Sequence, residues 1–334
     1  MRKGKVIVVG GIPNPIGGVT IFLSRLLQRD YRSIRFLLDC YPGEKVKISN
    51  HCDEKVLALG SKVNLITWFY LNVFKFNDDI VFFNFSNIHS LILTLFLPKL
   101  GRGWRVMLHH GDLAVDSFLM RLIYRVSLRR FDVVYSLSNS QMELYKKLGV
   151  KSLIRTKSYV NASKPSISRD VYEFVAKLKK GHNKIFVSSG FATSIYNHEL
   201  NIDLFLTDEF KDYCLVIFLY GSGDRNALRE RTMQANNIII MEDCSEVYFN
   251  QVLSMSDCYL RPTLVDSFGV AVADAINFGV TAICSSVCDR YPGAVTFPSW
   301  DVLMYHDIVL NYSEKKGRTV NEEEVIKYLF PGVV

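Results

Sequence analysis

The 334-residue chain has seven cysteines and no C-x-x-C pair among them; they stand scattered at 40, 52, 214, 244, 258, 284 and 288. That spacing excludes a disulfide framework and a C-x-x-C zinc site, and it fits small apolar fillers in a reducing compartment. Long apolar runs are missing too. Stretches such as Leu91 to Leu97 fall far short of the roughly 20 residues that cross a bilayer. The start, Met1-Arg-Lys-Gly-Lys, leads directly into Val6-Ile-Val-Val without the apolar h-region of a secretory signal, so a soluble, cytoplasmic chain is expected. There is no internal repeat and no low-complexity tract. The dinucleotide fingerprint G-x-G-x-x-G is absent, as is the Gly-Lys-Ser/Thr of a phosphate-binding Walker loop, which disfavours an NAD-dependent oxidoreductase.

What is present is alternation. Short β-branched, apolar runs recur from end to end with helical patterns between them, the signature of α/β architecture with parallel sheets. Strands are expected at Lys5–Gly11, Ile34–Cys40, Lys55–Leu59, Asp79–Phe85, Arg105–His109 and Val133–Leu137. A second series follows at Lys184–Ser189, Cys214–Tyr220, Ile238–Met241, Cys258–Arg261 and Thr281–Ser285. Helices are expected at Val19–Arg29, Ser117–Arg130, Asn226–Ala235 and Glu246–Ser254, among others. The length exceeds what one core usually serves. Two doubly wound, Rossmann-like domains are therefore predicted, 1–162 and 163–311, joined through the aperiodic stretch Thr156–Arg169 and followed by a tail, 312–334, with a helix at Asn321–Leu329. Ligands of such folds bind beyond the carboxyl ends of the strands, which places the expected site in a cleft between the two domains.

Charge is uneven. Residues 1–160 hold 24 Lys and Arg against 11 Asp and Glu, a net +13, while the rest holds 16 against 22, a net −6, for the whole-chain +7. A basic half suits an anionic partner: a nucleic acid, an anionic membrane or a phosphorylated acceptor. Arg121, Arg125 and Arg129 recur every four residues beside Phe118, Leu119, Leu122, Ile123 and Val126, a basic amphipathic helix. Such a helix suits a membrane surface, and equally an ordinary solvated face.

Four motifs carry candidate chemistry. Gly10-Gly11-Ile-Pro-Asn-Pro-Ile-Gly17-Gly18 sits between the first strand and the first helix, as a ligand-approach loop or a plain turn. His109-His110-Gly111 closes a strand; side chains alternate along it, so only one imidazole can face a site. Tyr220-Gly221-Ser-Gly223 is a strand-to-helix turn of a common type. The most informative segment is Arg261-Pro-Thr-Leu-Val-Asp266-Ser267-Phe268-Gly269, continuing to Asp274 and Gly279. Two carboxylates eight residues apart would lie roughly 12 Å apart along a helix, with the helix N-terminus between them as a diphosphate seat. That spacing matches a sugar and a ribose at the two ends of a sugar nucleotide. The alternative is a capped core helix with Asp274 facing solvent.

In the order and spacing of these motifs the chain resembles the GT-B retaining glycosyltransferases of the large family 4, whose E-x7-E region Pro262–Gly279 resembles. The resemblance implies a donor-binding C-terminal domain and an acceptor-binding N-terminal domain, with the tail helix packing back on the latter. It implies a donor of the UDP-sugar or GDP-sugar type, no cofactor and no metal, in keeping with the absence of D-x-D. Asp266 and His110 would meet the donor sugar, and Asp274 the ribose. Gly17, Gly18, Gly190, Gly221, Ser267, Phe268 and Gly269 would line the donor. The acceptor would be a glycan or a lipid-linked polyprenyl diphosphate sugar in bacterial surface polysaccharide synthesis, at the inner face of the membrane. Three departures stand out. Both acids are Asp rather than Glu, and Phe191 and Tyr196 occupy the places where the family carries an Arg and a Lys. With those cations missing, Arg261 is the expected substitute. The departures keep a second reading open, a non-catalytic sugar-nucleotide-binding partner of another transferase.

Overall fold

The computed structural model describes residues 4–13, 17–43, 50–109 and 117–312. The chain divides into two compact units, with the change between Val160 and Asn161. The aperiodic stretch from Thr156 to Ser168 carries no helix or strand. The expected tail helix at Asn321–Leu329 lies outside the described residues.

In the first unit the strands are β1 (Val6–Gly10), β2 (Ile34–Asp39), β3 (Val56–Ala58), β4 (Ile80–Phe85), β5 (Gly103–Leu108), β6 (Val133–Ser136) and β7 (Leu153–Arg155). They form one parallel sheet in the order β3-β2-β1-β4-β5-β6-β7. Helices cover both faces of a doubly wound sheet, so neighbouring strand residues must be apolar in both directions. Ile7, Val9, Val81 and Phe83 accordingly enter one core, and Val6, Val8, Ile80 and Phe82 the other. The first core is built around Trp104, fully buried, whose ring centroid lies 4.9 Å from that of Phe83. Its indole N–H donates to the Leu100 carbonyl at 2.8 Å, and the Arg130 guanidinium covers its face at 5.0 Å.

The second unit holds β8 (Lys184–Ala192), β9 (Tyr213–Gly223), β10 (Ile238–Glu242), β11 (Cys258–Arg261), β12 (Thr281–Ser285) and β13 (Val295–Phe297). Their order is β10-β9-β8-β11-β12-β13, again all parallel. The helix Arg169–Gly181 opens this unit with Asp170 in its first turn and Lys179 and Lys180 in its last, each sign favoured at its end of the helix dipole. Its Val171, Val175 and Leu178 fall on one buried stripe, as a 3.6-residue period requires.

An Asp just ahead of a strand recurs as a staple between neighbours. Asp79 accepts the Lys5 N–H at 2.8 Å, Asp132 the Trp104 N–H at 2.7 Å and Asp257 the Ile185 N–H at 2.8 Å. Each satisfies a backbone donor at the beginning of a strand that the ladder leaves unpaired. In both sheets the strand order reverses once, between β1 and β4 and between β8 and β11. Chain connections leave these neighbours in opposite directions, opening a crevice at their carboxyl ends.

Candidate functional site

The reversal point of the second unit brings the carboxyl end of β8, with Gly190 and the turn after it, next to Arg261 at the end of β11. Arg261 points its guanidinium over the ring of Tyr196, 4.9 Å from the centroid. Its Nη1 donates to the Ser189 carbonyl at 3.2 Å and its Nε to Asp266 Oδ2 at 2.9 Å. Asp266 does not stand alone with it. Arg290, in the loop after β12, donates to the same Oδ2 from Nη1 at 2.7 Å. The side chains of Arg261, Asp266 and Arg290 are only 9%, 10% and 3% exposed.

Arg290 was not anticipated. It lies in the short segment Cys288-Asp-Arg290-Tyr, outside any periodic pattern or motif. Its Nε donates to the Ser285 carbonyl at 2.8 Å, and its Nη2 to Thr263 Oγ1 and Ser285 Oγ, each at 3.1 Å. A planar five-donor fork suits such a cluster of acceptors. Asp266 Oδ1 meanwhile accepts the Ser267 N–H at 2.9 Å. Both oxygens of Asp266 are thus engaged by the protein, and the Ser267 amide is spent on one of them. Burial alone would raise the Asp266 pKa, but the two arginines hold it well below the usual carboxylate range. Burial alone would likewise lower that of Arg261; Asp266 and the neighbouring tyrosines outweigh it and hold it above its ordinary value.

The helix behind this turn is shorter than the sequence suggests. It runs Val270–Asn277, with Gly269 as its N-cap at φ +80°. Only the four steps from Val270 to Asp274 are helical, about 6 Å of rise, so the expected 12 Å helical span between the two acids does not exist. The cause is local: Asp266 and Arg290 fold residues 263–269 into a turn, and a left-handed Gly269 cannot belong to a right-handed helix. A Cβ on Gly269 would lie 2.7 Å from Arg290 Nη1 and 3.3 Å from Asp266 Oδ2, so the turn needs glycine twice over. Phe268, half-buried, packs edge-on against Tyr291. Asp274 is 2% exposed, which removes the solvent-facing alternative.

Aromatic rings stand where the expected cations are missing. Phe191 stacks on Tyr196 at 5.6 Å and meets Tyr220 edge-on at 5.3 Å, and Tyr196 stacks on His198 at 6.0 Å. Gly190 makes room for this pile, since a Cβ there would strike the Tyr196 ring at 1.9 Å. Burial, with Arg261 nearby, pushes the His198 imidazole down to about 4, so it is neutral at ordinary pH. The sequence Tyr220-Gly221-Ser-Gly223 is the end of β9 rather than a turn, and the Gly221 carbonyl accepts from Arg225 Nη2 at 2.9 Å. Cys284 and Cys288 are both pushed up to about 11 by burial, which rules out a resting thiolate near the site.

In the first unit, Gly17 is the extended N-cap of the helix Gly18–Arg29, and Thr20 Oγ1 accepts its N–H at 3.1 Å. His109 is buried, its Nε2 2.7 Å from Asn84 Oδ1. His110 lies outside the described residues. Arg121, Arg125 and Arg129 are all exposed along and just past the helix Phe118–Leu128. Among the described residues no group of three His, Cys, Asp or Glu side chains could hold a metal ion, and no helix is long and apolar enough to cross a membrane.

No protein-family signature matches the chain, and no curated protein matches by sequence. Solved structures do match in fold, and they define its class: the chain has the GT-B fold, built from two Rossmann-like units. Anabaena HepE in complex with UDP-glucose aligns with a TM-score of 0.67 at 10% identity, over 93% of this chain and 91% of its own. The trehalose-6-phosphate synthase OtsA aligns at 0.64 and 12% identity, over 93% and 92%. The lipopolysaccharide outer core galactosyltransferase WaaB aligns at 0.61 and 12% identity, over 97% and 99%.

Proposed function

We propose that the chain is a retaining, metal-independent glycosyltransferase that moves a sugar from a UDP-sugar or GDP-sugar to a hydroxyl of a glycan or polyprenyl-diphosphate-linked acceptor. The observation that carries this reading is Arg261: a guanidinium at the carboxyl end of β11, beside the reversal point, anchored by Asp266 and adjacent to the N-terminus of Val270–Asn277. As the bond from the anomeric carbon to the diphosphate breaks, negative charge grows on the leaving oxygen and positive charge on the sugar. A fixed cation and the amide end of a helix stabilise the first of these without reorganising. Asp266 acts by holding Arg261. Asp274 meets the ribose hydroxyls, and His110 the donor sugar. Gly17, Gly18, Gly190, Gly221, Ser267, Phe268 and Gly269 shape the donor's surroundings.

The acceptor side of the proposal is a membrane-bound one, reached from the cytoplasmic face in bacterial surface polysaccharide synthesis. It is supported by the helix Phe118–Leu128, where exposed Phe118, Leu119, Leu122 and Val126 share the solvent-facing surface with Arg121 and Arg125, and Arg129 follows. Tyr70, Leu71, Phe74 and Phe96 of the same unit are exposed as well. Apolar groups set among arginines suit an anionic lipid surface.

Phe191 and Tyr196, in the place of the usual cations, favour the second reading of a non-catalytic sugar-nucleotide-binding partner. Both readings meet one experiment. UDP, GDP and their sugars are screened by thermal shift, then the stabilising sugar nucleotide is followed for slow hydrolysis. Asp274→Ala is expected to weaken nucleotide binding, and Arg261→Ala to slow hydrolysis at least about a hundredfold, the scale of a lost charge-stabilising donor. Binding without hydrolysis establishes the non-catalytic partner. Hydrolysis unchanged in both variants refutes the site.

A further inference from the structure

Arg290 is the largest investment of hydrogen bonds in the second unit's site, and no motif accounts for it. Its three nitrogens reach Asp266, Thr263, Phe268 and Ser285, and with each of them so engaged none is left to meet a ligand. Structural bracing would explain the contacts to Thr263 and Ser285. It does not explain why two guanidinium groups converge on a single oxygen of a single carboxylate.

Charge bookkeeping does. Arg261 and Asp266 alone would form a neutral pair, and a neutral pair attracts a diphosphate weakly. With Arg290 sharing Asp266 Oδ2, the group as a whole carries a net charge of +1 in buried surroundings. The other groups that bear most on Arg261 are Tyr259, Tyr220 and Tyr196: burial raises the Tyr220 and Tyr259 hydroxyls, and Tyr196 offers its ring face. His198 is neutral at ordinary pH. Arg261, Asp266 and Arg290 between them thus hold one cation in excess.

We infer that Arg290 is a positioning residue that, by taking half of the Asp266 carboxylate, leaves Arg261 with uncancelled positive charge directed at the diphosphate of the sugar nucleotide. The inference rests on the donor reading above. It also explains how this chain dispenses with the Arg and Lys replaced by Phe191 and Tyr196. Those cations would be bound directly by the diphosphate, whereas here one arginine meets the ligand and a second, buried one sets its charge.

The test is calorimetric titration of UDP and GDP into the full chain, with the corresponding monophosphates and nucleosides as controls, together with donor hydrolysis rates. Arg290→Gln makes the cluster neutral and is expected to weaken the nucleoside diphosphate roughly tenfold, the effect of a unit charge near 10 Å in a moderately polar interior. The monophosphate should weaken less and the nucleoside not at all. Arg290→Lys keeps the charge but loses the fork, so diphosphate affinity should stay within about threefold while hydrolysis slows. The double variant Arg290→Gln/Asp266→Asn restores +1 and should recover diphosphate affinity without recovering rate. It and the Lys variant carry the comparison if the single Gln variant folds poorly. Equal loss for all three ligands, or a double variant no tighter than Arg290→Gln, would mean Arg290 only braces the turn and overturns the inference. A wild-type chain that binds neither UDP nor GDP overturns the donor reading instead, which keeps the two failures apart.

Discussion

Replacing Asp266 by Ala would leave two guanidinium groups buried with no carboxylate between them. The pair is not of the surface type, which contributes about 0–1 kcal/mol; its three side chains are 10% exposed or less. Removing one partner of a buried pair costs about 3–5 kcal/mol, because the remaining charge is left without compensation. A unit of this size shifts by roughly 2–4 °C per kcal/mol, so the second unit should melt about 6–20 °C lower. Differential scanning calorimetry would register it. The pH dependence adds a sign. Asp266 has its folded-state pKa depressed, so its contribution is fully present above the ordinary carboxylate value near 4. It is lost only as pH falls below that, towards the folded value. The gap between wild type and variant should therefore be flat from about pH 5 to 8 and shrink in stronger acid. A loss below about 1 kcal/mol, or a gap that varies across neutral pH, would show that the cluster is solvated and refute the charge argument built on it.

Gly269→Ala should destabilise by about 1–2 kcal/mol for the left-handed backbone alone, and more as its methyl meets Arg290. Gly181→Ala, at a helix end with open space around it, is the matched control and should stay within about 0.5 kcal/mol in urea denaturation. Substituting Arg121, Arg125 and Arg129 together by Ala should weaken binding to phosphatidylglycerol vesicles about a hundredfold, at roughly 1 kcal/mol per basic residue near an anionic surface. Equal sedimentation with vesicles for variant and wild type would sink the membrane assignment.

Most of the fold was legible because doubly wound sheets write themselves into the chain as runs such as Val6-Ile-Val-Val and Leu215-Val-Ile-Phe, apolar in every position. All eleven expected strands are found, with ends shifted by a residue or a few. The two that escaped, β7 (Leu-Ile-Arg) and β13 (Val-Thr-Phe), are three-residue edge strands whose pairing comes from the neighbour rather than from their own pattern. The site was legible in part. Arg261, Asp266 and Gly269 belong to one continuous segment, so spacing alone pointed to them. Arg290 reaches the same carboxylate from 24 residues away, a contact that no local period encodes. The helix start was misplaced because Asp266 followed by Ser-Phe-Gly reads as a cap, whereas the side chain is drawn aside by two arginines. Only Gly269, by its positive φ, marks where the helix begins.

The tryptophans divide unevenly between the units, and this governs what spectroscopy can see. Trp68 and Trp104 belong to the aromatic core of the first unit, whereas Trp300, the one in the second, is 80% exposed. Intrinsic fluorescence will therefore follow the melting of the amino-terminal half and stay nearly silent for the other. A denaturation curve recorded by emission alone could look unaltered in a variant whose donor half has already come apart.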